Sequence, residues 1–308
     1  MSTFLVTGAT GKQGRATVNA LLPQGARVHA VVRNSTKGAA RELEDLGVLL
    51  FQGCNSDFDV FYKAAQGCSG IFLNLVVDAD NSAPGKEAEG ILRACRRAGV
   101  RHVVASTSCF AGDRLTWGIP ENEGEICEYY SDVVKVEEAV RQSRLECYTI
   151  IRPGWFHTNY LLPMADYFYP ELRTSGTLAH SLEPWTVYPH INVDDIGRFA
   201  AKALHDPTGF GGREIEFASE NLRIDEVAAA IKKATGKQIA LRKRTQIEEV
   251  STPSNNAVWH CWANAVSLRV DAMGLASQYS FCFATLEEFL MKEKAKLRYI
   301  ADNNTVEQ

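Results

Sequence analysis

The stretch Val6-Thr7-Gly8-Ala9-Thr10-Gly11-Lys12-Gln13-Gly14 joins a short apolar segment to the helical pattern of residues 13–22. Its spacing is GxxGxxG, one residue longer between the first two glycines than the common dinucleotide fingerprint. Gly8 allows a tight turn, Gly11 lets the backbone approach a pyrophosphate, and Gly14 lets the helix pack on the strand. The N–H groups at the helix start then face the phosphates. We therefore predict a dinucleotide site; the alternative is a capping turn without a ligand.

Short apolar runs and helical patterns alternate on both sides of this loop through the first half of the chain. Strands are predicted at residues 4–7, 27–32, 48–52, 70–76, 102–106 and 147–152, and helices at residues 13–22, 37–46, 58–65, 86–98 and 132–142. Alternation at this spacing is typical of βαβ units, and it predicts an α/β fold with a doubly wound parallel sheet.

The alternation stops after residue 152, where an aromatic and irregular segment begins. Further helical patterns follow, the last of them at residues 286–297. We expect a dinucleotide-binding domain over residues 1–152, to which some later segments return. A smaller, interleaved α/β lobe over residues 153–308 would bind the substrate.

Composition limits the class of protein. The chain has 308 residues, 45% hydrophobic and 23% charged, with a net charge of −4. These values are ordinary for a globular protein, and a mildly acidic chain has no overall attraction to nucleic acid. No apolar run approaches the roughly 18 residues of a membrane helix. No secretory signal is recognised, no Cys/His group has metal-ligand spacing, and the eight scattered cysteines suit a reducing compartment. We expect a cytoplasmic protein without metal, membrane or direct nucleic-acid binding.

The end of the second predicted strand indicates which dinucleotide is bound. An NAD-selective site usually has an acidic residue here, which would repel the 2′-phosphate of NADP. This chain has Arg33 followed by Asn34, with Lys37 one helical turn further on. Because arginine binds phosphate through two parallel hydrogen bonds, the pattern favours NADP(H) as the cofactor. The alternative is that Arg33 and Lys37 are ordinary surface cations.

Other residues of the loop and of the strand ends complete the predicted cofactor site. Asp57 could contact the adenine amine or cap the helix predicted after it. Ser106 ends the fifth strand at its carboxyl end, where open α/β sheets bind ligands, although a simple turn is equally possible there. The further predicted contacts are Thr10, Lys12, Gln13, Asn34 and Asn74.

Four segments, residues 8–14, 31–34, 150–159 and 191–204, resemble the NmrA-like family, an atypical branch of the short-chain dehydrogenase/reductases. The resemblance extends over residues 3–234. It implies a Rossmann-type domain with a small C-terminal lobe. The family contains NADPH-dependent reductases, such as isoflavone-reductase-like and quinone-reductase-like enzymes. It also contains regulators that bind dinucleotide without turnover.

The resemblance also implies roles for the segment after the sixth strand, which covers the nicotinamide in the family. On this basis Pro153, Trp155 and Phe156 are expected to contact the cofactor. His157 would bind substrate or donate a proton, unless it is a surface or core histidine. The aromatic residues from Trp155 onward, together with Trp185, predict an apolar substrate pocket.

The catalytic YxxxK motif of ordinary short-chain dehydrogenases is broken here, because Ser131 stands four residues before Lys135. Lys135 is predicted at the start of the helix over residues 132–142, resembling the lysine of isoflavone-reductase-like enzymes. Partly desolvated beside the nicotinamide, it could transfer a proton or orient the ribose. The alternative is an exposed lysine in the first helical turn. Tyr129 and Tyr130, expected in the preceding loop, are the next candidate proton donors, unless they only pack there.

Two functions remain open. The first is an NADPH-dependent oxidoreductase that reduces a small aromatic or polyketide-like carbonyl or enone, a small-molecule substrate; the aromatic segment favours it. The second is a non-catalytic NADP(H)-binding redox sensor that acts through a protein partner; the broken YxxxK motif favours it.

Overall fold

The computed structural model describes residues 2–75, 83–116, 125–251 and 256–302. Residue 76, at the end of a predicted strand, lies outside this part of the chain. The strands are β1 Thr3–Val6, β2 Arg27–Val32, β3 Leu49–Gln52, β4 Gly70–Asn74, β5 His102–Ser106, β6 Cys147–Pro153, β7 Trp155–Phe156, β8 Thr177–His180, β9 Tyr188–Ile191, β10 Arg213–Phe217, β11 Glu220–Leu222 and β12 Ala240–Lys243.

The α-helices follow the strands closely in the first half of the chain. They are α1 Lys12–Leu21, α2 Gly38–Asp45, α3 Phe58–Ala64, α4 Pro84–Arg97, α5 Glu125–Arg141, α6 Met164–Phe168, α7 Glu171–Ser175, α8 Val193–His205, α9 Pro207–Phe210, α10 Ile224–Thr235, α11 Gln246–Ser251, α12 Ala257–Ala265, α13 Ala272–Gln278 and α14 Leu286–Lys292. Short 3₁₀ helices span Leu22–Gln24, Ala111–Thr116, His157–Tyr160 and Lys294–Leu297.

The chain divides into two compact units. The first unit comprises Met1–Arg114, Cys127–Pro153 and Val193–Glu216, and the second comprises the remaining segments. The segment from Val193 belongs to the first unit because α8 packs closely on α1, where a Cβ on Gly197 would lie 2.3 Å from the carbonyl carbon of Ala16. The assignment of the second unit to substrate binding stays a prediction.

A seven-stranded sheet forms the centre of the first unit, in the order β10-β6-β5-β4-β1-β2-β3. Every pairing among β1 to β6 is parallel. The inner strands β4 and β5 are almost wholly apolar and buried, because helices cover both faces of such a sheet. This order is that of the Rossmann fold, so the predicted α/β class is confirmed.

Two small sheets lie in the second unit. In one, β9 pairs antiparallel with β11 and parallel with β7. In the other, β12 pairs parallel with β8, which sets Lys243 opposite His180. None of the described helices is long and apolar enough to cross a membrane.

Candidate functional site

The glycine loop lies between β1 and α1, next to the point where the winding direction of the sheet reverses. Gly8 has a φ of +59°, which favours glycine, and the Gly11 N–H donates to its carbonyl at 2.8 Å. A Cβ on Gly14 would lie 2.2 Å from the Gly8 oxygen, so only glycine allows α1 to start here. A Cβ on Gly11 would meet only that oxygen, at 3.2 Å, and would otherwise project into open space. A side chain at position 11 would therefore fill the open space in front of the loop.

The start of α1 is open to an anion. Gly11 is its N-cap residue, no side chain caps the helix, and its first turn contains no acidic residue. The first N–H groups of a helix have no partner within the helix and carry partial positive charge. Thr10 and Lys12 are exposed beside them. These features fit the pyrophosphate of a dinucleotide, which agrees with the predicted site.

Three predicted cofactor residues meet at the carboxyl ends of β4 and β5. Ser106 Oγ donates to Gln13 Oε1 at 2.6 Å, and Gln13 Nε2 donates to Asn74 Oδ1 at 3.3 Å. Thr7 on the glycine loop accepts from the Asn74 N–H at 2.7 Å. This network orients side chains from three elements at one edge of the sheet. Their contact with a cofactor stays a prediction.

The end of β2 presents positive charge without a carboxylate partner. Arg33 and Lys37 are exposed, and neither forms an ion pair with any residue the structure describes. Asn34 accepts hydrogen bonds from the Thr36 N–H and hydroxyl at 2.8 and 2.7 Å, which closes the turn before α2. Because β2 lies directly beside β1, these cations stand one strand away from the glycine loop. The arrangement fits the 2′-phosphate of NADP.

Asp57 caps helix α3, since its carboxylate accepts from the Val60 N–H at 3.1 Å. Of the two roles left open by the sequence, the structure shows capping. The adenine contact stays a prediction.

The predicted position of Lys135 at a helix start is wrong. Helix α5 begins at Glu125, so Lys135 lies in its third turn. The ammonium pairs with Asp132 Oδ1 at 2.7 Å, and the side chain is 61% exposed, so the expected desolvation is absent. The missed signal is helical spacing of buried residues before residue 132, at Ile126 and Tyr130.

The two tyrosines also lie on α5, not on a loop as predicted. Tyr130 is fully buried and its hydroxyl donates to the Cys109 carbonyl at 2.7 Å, which is the packing role that the sequence left open; proton donation by Tyr130 stays a prediction. Tyr129 is half-buried, and burial raises its pKa while a hydrogen bond with Ser108 lowers it. The net shift is upward, so Tyr129 keeps its proton at neutral pH. It stands next to the carboxyl end of β5 and remains a candidate donor.

A buried ionic cluster in the first unit was missed by the sequence analysis. Arg152 on β6 binds Glu137 on α5 and contacts Glu216 on β10. Glu137 also accepts from Thr107 Oγ1 at 2.8 Å, and Glu216 accepts from the Phe110 N–H at 2.6 Å. The cluster therefore holds the loop that follows β5. A usable signal was Arg152 as the single charged residue in the strand β6.

Burial dominates the charge state of one member of this cluster. It raises the pKa of Glu216 to about 7, although the Phe110 N–H and the Arg152 guanidinium oppose the shift. The contact with Phe110 is notable because that residue has a φ of +62°, a conformation that non-glycine residues rarely adopt. The loop conformation is thus stabilised by a carboxylate that titrates near neutral pH.

The second unit contains a small aromatic pocket with about 10 Å³ of free space, room for about one water molecule. Its rings nearly fill it, and Trp155 packs edge-to-face on Tyr188 with centroids 5.5 Å apart. Trp185 does not line this pocket and is 70% exposed, so its predicted role in a pocket wall is wrong. The lining residues are Trp155, Tyr160, Tyr169, Leu182, Tyr188, His190, Leu222, Ile224, Val227 and His260.

His157 is a core residue and does not line the pocket. Its side chain is fully buried, and neither ring nitrogen has a hydrogen-bond partner among the described residues. Burial, reinforced by His190, lowers its pKa well below the ordinary value, so the ring is neutral at neutral pH. Of the roles left open by the sequence, the structure shows a core histidine, and a part of His157 in substrate binding or proton donation stays a prediction. Pro153 ends β6, and its carbonyl accepts from the Cys109 N–H at 3.1 Å. Cofactor contacts of Pro153, Trp155 and Phe156 stay predictions.

Among the described residues, no group of His, Cys, Asp and Glu is arranged to hold a metal ion.

Known proteins share this architecture. NADPH-dependent quinone oxidoreductase QOR2 of Escherichia coli, solved with NADPH, superposes with a TM-score of 0.74 at 21% identity, over 94% of this chain and 99% of that chain. NmrA, a negative transcriptional regulator solved with NADP, gives a TM-score of 0.75 at 19% identity, over 97% and 98%. At these identities the likeness shows the fold.

Comparison of sequences also identifies the family. The NmrA-like family domain-containing oxidoreductase ptmS of Penicillium ochrochloron is 30% identical over 251 residues, which is 76% of this chain and 73% of the relative. The model of the NmrA-like family matches residues 1–257. The resemblance inferred from the sequence motifs is thereby confirmed, and the chain belongs to the NmrA-like family.

Proposed function

We propose that this protein is an NADPH-dependent oxidoreductase that reduces a small aromatic or polyketide-like carbonyl or enone. The observation that carries the proposal is the uncapped start of α1 behind the exposed loop around Gly11. Relatives named as oxidoreductases, such as ptmS, support the reaction class. The concentration of aromatic side chains in the second unit, among them Trp155, Tyr160 and Tyr188, supports an apolar, ring-containing substrate.

The residues that would hold the cofactor have distinct tasks. The first N–H groups of α1 would bind the pyrophosphate, as helix starts do in this fold. Arg33 and Lys37 would neutralise the 2′-phosphate, because neither has a carboxylate partner among the described residues. Asn74 and Ser106, held by Gln13, would face the nicotinamide end at the edge of the sheet.

NADPH supplies a hydride when bound, and the protein must supply or relay a proton. We assign the proton to the Tyr129 hydroxyl, which is half-buried, protonated at neutral pH and adjacent to Ser108. The Tyr130 hydroxyl is used by the Cys109 carbonyl, and Lys135 is paired with Asp132 at the surface. Tyr129 is therefore the remaining member of the predicted set that can serve.

A turnover assay tests the proposal. The protein is incubated with NADPH and a panel of quinones, aromatic enones and aromatic aldehydes, and the loss of NADPH absorbance is followed. We expect at least one compound to accelerate NADPH oxidation above the rate seen with the Gly11→Val variant. If NADPH binds but no compound is reduced above that background, the assignment as an enzyme of this class is wrong.

A second candidate function is a redox sensor that binds NADP(H) and acts through a protein partner. The observation in its favour is the missing proton relay: Ser131 replaces the motif tyrosine, and Lys135 is exposed. NmrA, which shares the fold, is a transcriptional regulator. A sensor would bind NADPH and NADP⁺ with different consequences for a partner, and would leave the compound panel unreduced.

A further inference from the structure

Two carboxylates of the first unit each join the Arg152 guanidinium to the loop that follows β5. Glu137 accepts from Arg152 Nε and Nη2, and its Oε1 also accepts from the Thr107 hydroxyl at 2.8 Å. Glu216 accepts from Arg152 Nη1 at 3.2 Å through Oε1, and from the Phe110 N–H at 2.6 Å through Oε2. Each carboxylate is therefore a bridge between the arginine and one end of the loop.

The two residues between these anchor points, Ser108 and Cys109, are bonded to side chains of α5. The Cys109 carbonyl accepts from the Tyr130 hydroxyl at 2.7 Å. Burial raises the pKa of Tyr129 and a hydrogen bond with Ser108 lowers it, so the serine hydroxyl donates to the phenol oxygen. The loop is thus held at every residue from 107 to 110, and one of its bonds reaches the assigned proton donor.

The conformation of this loop depends on its bridges. Phe110 is buried with a φ of +62°, which non-glycine residues rarely adopt. A conformation of this kind persists only where the surrounding structure fixes it. The next turn is also close to the arginine, since a Cβ on Gly112 would lie 2.8 Å from Arg152 Nη1. Loss of the bond from the Phe110 N–H to Glu216 should therefore let the loop relax, and Ser108 would move with it.

We propose that Glu216 is a positioning residue for proton donation: by fixing Phe110, it holds Ser108 where its hydroxyl donates to Tyr129. The inference rests on the proposed function, in which Tyr129 gives its proton to the substrate. The tyrosine is then left as a phenolate, and the hydrogen bond from Ser108 stabilises that anion. Glu216 acts on the reaction through the loop and not by contact with the substrate.

Nuclear magnetic resonance of tyrosine labelled with ¹³C at Cζ tests this coupling without NADPH or substrate, because that carbon reports on the phenol oxygen. The Tyr129 signal is identified by its loss in Tyr129→Phe. We expect Glu216→Gln to shift this signal, because an amide nitrogen replaces one of the two oxygens that accept from Arg152 and Phe110. Glu216→Asp keeps the charge beside Arg152 but is too short to reach both partners, so it should keep the fold and also shift the signal.

Glu214→Gln is the matched control. Glu214 lies on the same strand and also binds Arg152, yet it forms no hydrogen bond to residues 107–110 in the part of the chain that the structure describes. The Tyr129 signal should not move in this variant. An unchanged signal in both Glu216 variants, or an equal shift in Glu214→Gln, would overturn the proposal.

Ser108→Ala tests the route from Glu216 to Tyr129. It removes the hydroxyl and leaves the ionic cluster in place, so it should shift the Tyr129 signal and keep the melting temperature of the parent. With Ser108 replaced, Glu216→Gln should cause no further shift, because the serine carries the effect. Additive shifts would mean that Glu216 does not act through Ser108, and would contradict the proposal.

Turnover provides the second measurement, with any compound that the parent protein reduces. Glu216→Gln should lower kcat about tenfold or more, because a displaced catalytic group reacts poorly, and should leave the KM for NADPH unchanged. Glu214→Gln should change neither value. An unchanged kcat in Glu216→Gln contradicts the proposal. If the parent reduces no compound, the proposed function fails, and the Tyr129 signal alone decides whether Glu216 positions the tyrosine.

Discussion

Arg152 binds the Glu137 carboxylate through two parallel hydrogen bonds, from Nε to Oε1 at 2.8 Å and from Nη2 to Oε2 at 2.7 Å. Both side chains are buried, at 7% and 1% exposure. Glu137 uses the same carboxylate to accept from Thr107, the first residue after β5. The pair therefore connects the end of β6 to the loop at the carboxyl edge of the sheet.

Removing one partner of this pair should be costly. Arg152→Met leaves Glu137 buried without its principal counterion, and we expect a loss of about 3–5 kcal/mol in the free energy of unfolding. Arg141→Met removes a half-exposed arginine of the same cluster and should cost less. Chemical denaturation checks both. In the double variant Arg152→Met/Glu137→Gln the loss should be smaller than the sum of the single losses, and additive losses would mean that the two residues are not coupled.

The stability of the first unit should depend on pH through Glu216. Burial raises its folded pKa from 4.5 to about 7, so the folded state binds the proton more tightly than the unfolded state. The contribution of this group to stability is greatest below pH 4.5 and is lost as pH rises to about 7.

Melting curves of Glu216→Gln check this dependence. Because glutamine does not titrate, the melting temperature of the variant should fall less between pH 4.5 and about 7 than that of the parent. Glu214 contributes in the opposite direction, because Arg141 and Arg152 lower its pKa. A variant with the same pH profile as the parent would show that Glu216 titrates normally.

Arg33→Ala should weaken NADPH binding about tenfold or more and leave NADH binding nearly unchanged, because a charge-assisted contact with the 2′-phosphate is lost. Arg27→Ala, at the opposite end of the same strand, is the matched control and should have no effect on either. Titration calorimetry measures both cofactors. Equal affinity of the parent for NADPH and NADH would refute the NADP preference.

Gly11→Val should abolish dinucleotide binding without unfolding the chain, since its side chain would occupy the open space in front of the loop. Gly14→Ala should instead destabilise the protein, because its Cβ would lie 2.2 Å from the Gly8 oxygen. Calorimetry with NADPH and a thermal melt separate the two effects. Retained binding in Gly11→Val would mean that the loop is only a turn.

Tyr129→Phe should lower kcat by about 10²-fold or more in the presence of an active substrate, the usual value of general acid assistance, and should leave the KM for NADPH unchanged. Lys135→Met should keep both values, because its ammonium is exposed and paired with Asp132. The control Tyr130→Phe removes the hydrogen bond to Cys109, so it should lower the melting temperature more than kcat. A large loss of kcat in Lys135→Met alone would mean that Lys135, and not Tyr129, donates the proton.

Strands β1 to β6, the glycine loop and the basic end of β2 could be predicted from the sequence alone. These features depend on local requirements: apolar runs of strand length, backbone positions that only glycine tolerates, and a charge at a fixed distance along one strand. The bounds of β2 and β5 were predicted to the residue. The start of α5 was misplaced because its first two turns combine aromatic and polar residues, a pattern that also suits a loop.

Which side chains are available for chemistry depends on the three-dimensional packing. Tyr130 and Cys109 are 21 residues apart in the sequence, and Arg152 and Glu216 are 64 residues apart. No local sequence pattern therefore predicts these contacts. Burial then acts on the groups that the fold brings together: it makes His157 a neutral core residue and leaves Arg244 without a counterion among the described residues. A charge in a sequence does not reveal whether it is solvated, and this depends on what packs around it in three dimensions.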